Sequence, residues 1–403
     1  MRLENEAGLI MNVKRHRIYL FCMVTSLYWF SLYAYVPTLP GYAESMGASY
    51  QMVGLIIGSY GFTQMILRIP LGILSDGLNR RRPFVIGGLR VAVVAALGMW
   101  MYPNPSMLLV FRGMTGVAAA TWVAYTVLFS SYFPPEEAPR AIGYISAFNA
   151  VGQMAGMMLG GTAAQHFGQG VPFLVAMAGG IVGLVLSFGI VEQRSHREPG
   201  NVADFLSVGK DRGLLMVSFL AILVQIITFS TVYGFTPIAA ERIGASSFGV
   251  GLLATLSTLP RVIAAPLSGA VFAPRFGDRR TIAFSFLVLA LSCGLIPFIH
   301  YLPWLYITQV IGGFATGLIL PLLMGLSIKT VPDGRRASAM GFFQAIYGLG
   351  MFAGPVFVGA VSDALQLSWG FWLVGAIGLL AAIYAITLWG WGFPTADPEE
   401  SSR

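Results

Sequence analysis

With 403 residues, 56% of them hydrophobic and only 10% charged, the chain has less than half the charge usual in soluble domains, which excludes a water-soluble enzyme or nucleic-acid-binding module. Its 24 Lys and Arg exceed its 17 Asp and Glu, but in so apolar a chain the net charge of +7 reports membrane topology rather than affinity for nucleic acid. The two cysteines, Cys22 and Cys293, both sit in apolar runs, so neither a disulfide framework nor a metal site is expected.

Residues 1–16 are read as an N-terminal tail, and Lys14, Arg15 and Arg17 precede the first apolar run. That layout is shared with signal peptides, but eleven further runs make this one an uncleaved first span. About twenty apolar residues cross a bilayer as a helix, and the spans of that kind are 17–38, 49–74, 83–102, 106–131, 140–164 and 170–191 in the first half. The second span carries Gln64 and Arg68 and leads into "LGILSDGLNRRR", where one acid and three arginines lie between two apolar runs. Arg90 follows in span 3; like Arg68 it lies within a few turns of the inner surface, where snorkelling is the expected behaviour. Span 4 reads "FRGMTGVAAATWVAYT" and holds Arg112, about two turns from the outer end. Span 5 reads "NAVGQMAGMMLGG", with Asn149 and Gln153 one turn apart and small residues spaced for close helix packing.

A charged segment, 192–211, interrupts the hydrophobicity and is read as a cytoplasmic linker. The second half then offers spans at 212–238, 247–272, 279–299, 303–328, 337–362 and 367–392, and 393–403 is a polar tail. Span 8 contains Arg261 near its middle, too deep to snorkel cheaply. Every acid lies in a tail, a loop or a helix end, so the partners expected for Arg261 are helix carbonyls, water or an anionic substrate. Gln344 and Tyr347 share a face of span 11, and Trp122, Tyr125 and Tyr233 are candidate aromatic walls. Membrane-embedded acids being absent, proton coupling would have to use Asp76, Glu241, Asp363 or a proton carried on the substrate.

If both termini face the cytoplasm, Arg242 alone among the basic residues lies in an outer loop. Arg68, Arg90, Arg112 and Arg261 fall inside spans, and the rest fall in tails, inner loops or the span ends beside them. The halves also match each other. At a shift of 198, Pro134 meets Pro332, and Gly143, Gly152, Gly156 and Gly161 meet Gly341, Gly350, Gly354 and Gly359. At 197, Gly72 meets Gly269 and Gln64 meets Arg261. Two six-helix bundles, 17–191 and 212–392, are therefore expected, with a substrate site between them near the midplane.

The pattern Gly72, Leu74, Ser75, Asp76, Arg80, Arg81 and Arg82 resembles the signature loop of the major facilitator superfamily. Span count, linker and repeat carry the resemblance over the whole chain. Arg112, Gly116 and Ala120 resemble the family's second motif, with Thr115 in place of glutamine; an arginine there is associated with proton coupling or substrate binding. The glycines of span 5 resemble the motif of the drug/proton antiporter-like group, but Met157 stands where that motif has proline.

The resemblance implies an all-α integral membrane protein of twelve transmembrane helices in two pseudo-symmetric bundles. It implies too that the loop latches the cytoplasmic side, with Asp76 capping the helix that begins near Ala337 and Gly72 allowing close approach. The expected function is transport by alternating access in a bacterial-type inner membrane: proton-coupled export of amphipathic compounds. The alternative is an organic-anion carrier or proton symporter using Arg261; a channel or non-transporting receptor is a third reading. Substrate or proton coupling would fall to Arg112, Arg261, Gln64, Asn149, Gln153, Gln344 and Tyr347. The expected partners are a small molecule, protons and membrane lipids, acting on a monomer without cofactor, metal, nucleic acid or catalytic residues.

Overall fold

The computed structural model describes residues 2–78, 80–134, 137–192, 208–329, 331–332 and 335–393, without the side chains of 2–14, 76, 138, 139, 337 and 391. Most of the linker, most of the C-terminal tail and the Asp76 carboxylate thus lie outside the described residues. Twelve long helical rods follow one another. In the first half they are α1 (Arg2–Tyr33), α2 (Tyr50–Gly77), α3 (Arg82–Met101), α4 (Pro105–Ala120 continued by Trp122–Ser130), α5 (Ala138–Phe167) and α6 (Val171–Ser187). In the second half they are α7 (Arg212–Ser230), α8 (Ser247–Leu267), α9 (Asp278–Gly294), α10 (Leu302–Leu326), α11 (Arg336–Ala364) and α12 (Leu367–Thr387). Among the described residues nine helical stretches are long and apolar enough to cross a membrane. Phe284, Phe357 and Leu380 are among many large apolar side chains that face outward, as a lipid-solvated surface requires. The chain is a multi-pass membrane protein.

Several boundaries differ from the sequence reading. The expected N-terminal tail is helical from Arg2, and α1 stops at Tyr33, giving way to a short helix, Leu39–Ser45. The fourth span breaks at Thr121, because its own hydroxyl (2.8 Å) and the Tyr28 hydroxyl from α1 both donate to the Ala118 carbonyl and compete with the helical ladder. Rod α7 continues through a π-helical turn, Thr231–Phe235, into Thr236–Arg242, and α8 through a second one, Ser268–Phe272, into Ala273–Phe276. Pro260 and Pro266 lie inside α8. Pro260 has no N–H, so the Leu256 carbonyl one turn earlier loses its helical donor just beside Arg261.

Packing follows the repeat. In the first half α1 packs on α5, α2 on α4 and α3 on α6; in the second α7 packs on α11, α8 on α10 and α9 on α12. Across the halves α2 meets α11 and α5 meets α8. These cross-contacts are tight at the end away from the termini. A Cβ on Gly58 would come within 2.8 Å of the Phe352 carbonyl, one on Gly61 within 2.5 Å of Met351 Cβ, and one on Gly161 within 2.7 Å of the Ser247 carbonyl. Nearer the termini a Cβ on Gly72, Gly143 or Gly269 would meet nothing within 4 Å. Glycines toward the far end are thus packed across the halves, and those nearer the termini are open.

Candidate functional site

The inner faces of both halves carry aromatic residues because an apolar helix that also lines a polar interface needs side chains with an apolar body and a polar tip. Tyr60 of α2 stacks on Phe229 of α7 at 6.0 Å, Phe229 meets Tyr233 edge-on at 5.2 Å, and Tyr33 of α1 meets Tyr233 at 5.7 Å. Trp29 extends the cluster, 5.7 Å from Tyr33 and 5.2 Å from Trp122. This aromatic bridge crosses from one half to the other.

Two guanidinium groups flank it. Arg112, only 2% exposed, lies 4.5 Å above the Tyr60 ring and donates to the Tyr35 hydroxyl and to Thr115 Oγ1, each at 3.3 Å. It does not reach toward the outer surface, so snorkelling does not describe it. Arg261 donates to the Tyr233 hydroxyl at 3.3 Å and to Thr258 Oγ1 at 3.4 Å. Tyr33 is an electrostatic neighbour of both arginines. The N–H groups of Arg112 Nε, Arg261 Nε and Trp29 Nε1 are buried and donate to no protein partner. Neither arginine pairs with a carboxylate among the described residues, so the site is net positive.

The remaining expected residues divide by place. Gln64 is buried on α2 with its Oε1 unpartnered. Arg68, one turn further on, does not snorkel: it is buried and crosses to α11, donating to the Tyr347 hydroxyl at 3.3 Å. Its position along the helix suggested the surface, but its face of the helix points at the other half. Asn149 and Gln153 bond to each other at 2.5 Å on α5, and Gln344 is half-buried on α11. In the loop, Ser75 donates to the Gly72 carbonyl at 2.9 Å within its own helix, Gly72 touches nothing of α11, and Arg80 is exposed. The backbone N–H groups of Arg81 and Arg82 donate to the Glu192 carboxylate.

Tyr33, Tyr60 and Trp29 were not singled out in the sequence, where an aromatic residue in an apolar span reads as packing. Asp363 was weighed only for protons. It accepts the backbone N–H groups of Tyr50 and Gln51, both at 2.8 Å, and so caps α2 from the far end of α11. Gln165 of α5 caps α8 likewise, accepting from Phe248 at 3.1 Å, and stands at the same shift of 198 from Asp363. A visible signal existed here: the repeat pairs these two positions. Arg242 adds an ion pair to Glu44 at 3.1 Å between the halves.

A family model described as Major Facilitator Superfamily matches residues 21–238 and 218–403. The class C tetracycline resistance protein of Escherichia coli is 26% identical over 380 residues, which are 90% of this chain and 94% of that one. Among solved structures, the human organic anion transporter MFSD10 superposes with a TM-score of 0.68 at 19% identity, covering 92% of this chain and 99% of that one. The nucleoside transporter NupG superposes with a TM-score of 0.77 at 14% identity, covering 93% and 99%. At such identities the solved structures carry the fold alone.

Proposed function

Because the chain belongs to the major facilitator superfamily, and is accordingly a transporter rather than an enzyme, we propose that it exports small amphipathic compounds by proton-coupled alternating access. The observation that carries this reading is the aromatic bridge between the halves, which offers flat apolar surface with hydroxyl and guanidinium groups at its edges. The likeness to a tetracycline resistance protein over nearly the whole chain supports efflux. Twelve rods among the described residues support both termini lying on one side, and the basic residues of the tails and connecting loops support that side being the cytoplasm of a bacterial-type inner membrane. Each half acts as one body, with the loop 72–82 as the latch of the cytoplasmic side; the free surface of Gly72 fits a latch released in this conformation.

A second reading, an organic-anion carrier, is favoured by one observation: Arg112 and Arg261 flank the bridge with no carboxylate beside either. Desolvated cations of this kind attract an anion more strongly than they do in water. The test is a ligand-stabilisation screen on purified wild type and Arg261→Ala, using matched anionic, neutral and cationic amphipaths at two pH values. Export of amphipaths in general predicts neutral or cationic compounds that stabilise both proteins. The anion reading predicts stabilisation by anions that the variant loses. Stabilisation by none of the three classes would overturn both.

A further inference from the structure

Where the start of α3 meets the segment that follows α6 lies a groove of about 720 Å³. It shares no lining residue with the aromatic bridge. Arg80, Arg82 and Arg90 line it, with Phe188 and Glu192 on the opposite wall. Glu192 is the single acid there among the described residues, and its carboxylate is engaged by the backbone N–H groups of Arg81 and Arg82. Arg82 donates to the Phe188 carbonyl at 2.6 Å, which fixes its guanidinium in the groove, while its Nε is buried without a partner. Arg80 and Arg90 are exposed, and no described acid pairs with either. Three guanidinium groups thus face one carboxylate.

We propose that this groove binds an anionic phospholipid, its phosphate held by Arg80, Arg82 and Arg90 and its acyl chains lying along the apolar flank above them. The position of Arg90 selects a lipid over a soluble anion. It is exposed and eight residues beyond Arg82, about 12 Å along a helix long and apolar enough to cross a membrane, a separation that would carry it from the headgroup level toward the acyl boundary. A guanidinium there is costly unless a phosphate meets it. Directly beyond it the surface turns apolar: Val94, one turn on, is 51% exposed, and Val185, one turn from Phe188, is 64% exposed. A basic groove between helices at the cytoplasmic edge, continued by an exposed apolar strip, has the two-part chemistry of a phospholipid.

The experiment is native mass spectrometry of the full-length protein in detergent, titrated with phosphatidylglycerol and with phosphatidylcholine of the same acyl chains. The expected result is a preference for phosphatidylglycerol that falls roughly fivefold in Arg90→Gln and is unchanged in Arg275→Gln, an exposed arginine at the same end of the other half. Inorganic phosphate in excess is expected to leave the bound lipid in place. A phosphatidylglycerol bearing a photoreactive acyl chain, applied to the wild type, is expected to label the segment 185–191. Equal losses in Arg90→Gln and Arg275→Gln would mean diffuse charge attraction, displacement by phosphate would mean a soluble-anion site, and labelling elsewhere would place the lipid elsewhere; each overturns the proposal.

Discussion

At the scale of single residues, the two buried arginines differ in what holds them. Arg112 stacks on Tyr60 and hydrogen-bonds to Tyr35 and Thr115, so its planar fork is part of the packing. Arg112→Lys keeps the charge but cannot reproduce that fork, and is expected to lower stability by about 1–2 kcal/mol, read as an earlier thermal midpoint. Arg261 makes bonds of similar length to Tyr233 and Thr258, but it is only half-buried and its guanidinium lies 6.0 Å from the Tyr233 ring, so Arg261→Lys is expected to fold normally and to show its effect in ligand affinity instead. A midpoint loss as large as that of Arg112→Lys would make Arg261 structural. Arg261 drew attention in the sequence because an arginine deep in an apolar span needs a polar partner, and Arg112 because it matched the family's second motif. Tyr33, Tyr60 and Trp29 were not, since nothing in one sequence separates an aromatic residue that packs from one that lines a site. Arg68 was misjudged because depth along a helix does not say which face a side chain takes.

Among the elements, the sequence revealed the rods through their length and the two halves through the shift of 198, and the packing repeats accordingly. It did not reveal the break at Thr121, which depends on a hydroxyl arriving from another helix. The far-end caps show how elements of different halves are joined. Asp363 satisfies two N–H groups that α2 would otherwise leave unpaired, and its charge lies at the positive end of that helix. Gln165 makes a single, neutral, longer bond at the equivalent place. Asp363→Ala is therefore expected to weaken far-end closure by about 1–2 kcal/mol, a shift of roughly 5- to 30-fold toward opening at that end, and Gln165→Ala by less. Spin-label distances between α2 and α11 at the far end measure this. Equal effects of the two substitutions would show that the charge on Asp363 adds nothing.

For the whole molecule, the proposed alternating access implies one equilibrium linking the two ends, and α2 could carry it, running from Tyr50, capped by Asp363, to Gly77 beside the loop. Gly72 lies about 33 Å along the helix from Tyr50, and in the conformation described here a Cβ on it meets nothing. Gly72→Leu is thus expected to leave this conformation almost unaffected. The proposed latched state brings α2 against α11 at this point, and there the side chain would overpack by about 1–3 kcal/mol. The variant should accumulate in the state open toward the termini, with transport lost and ligand binding retained. Asp363→Ala pushes the same equilibrium the other way. Residues so far apart that share no partner should act additively, so the double variant Gly72→Leu with Asp363→Ala should return the spin-label distances close to their wild-type distribution. If the two substitutions instead open both ends together, the halves do not move as rigid bodies about a common centre, and the alternating-access reading of this chain fails.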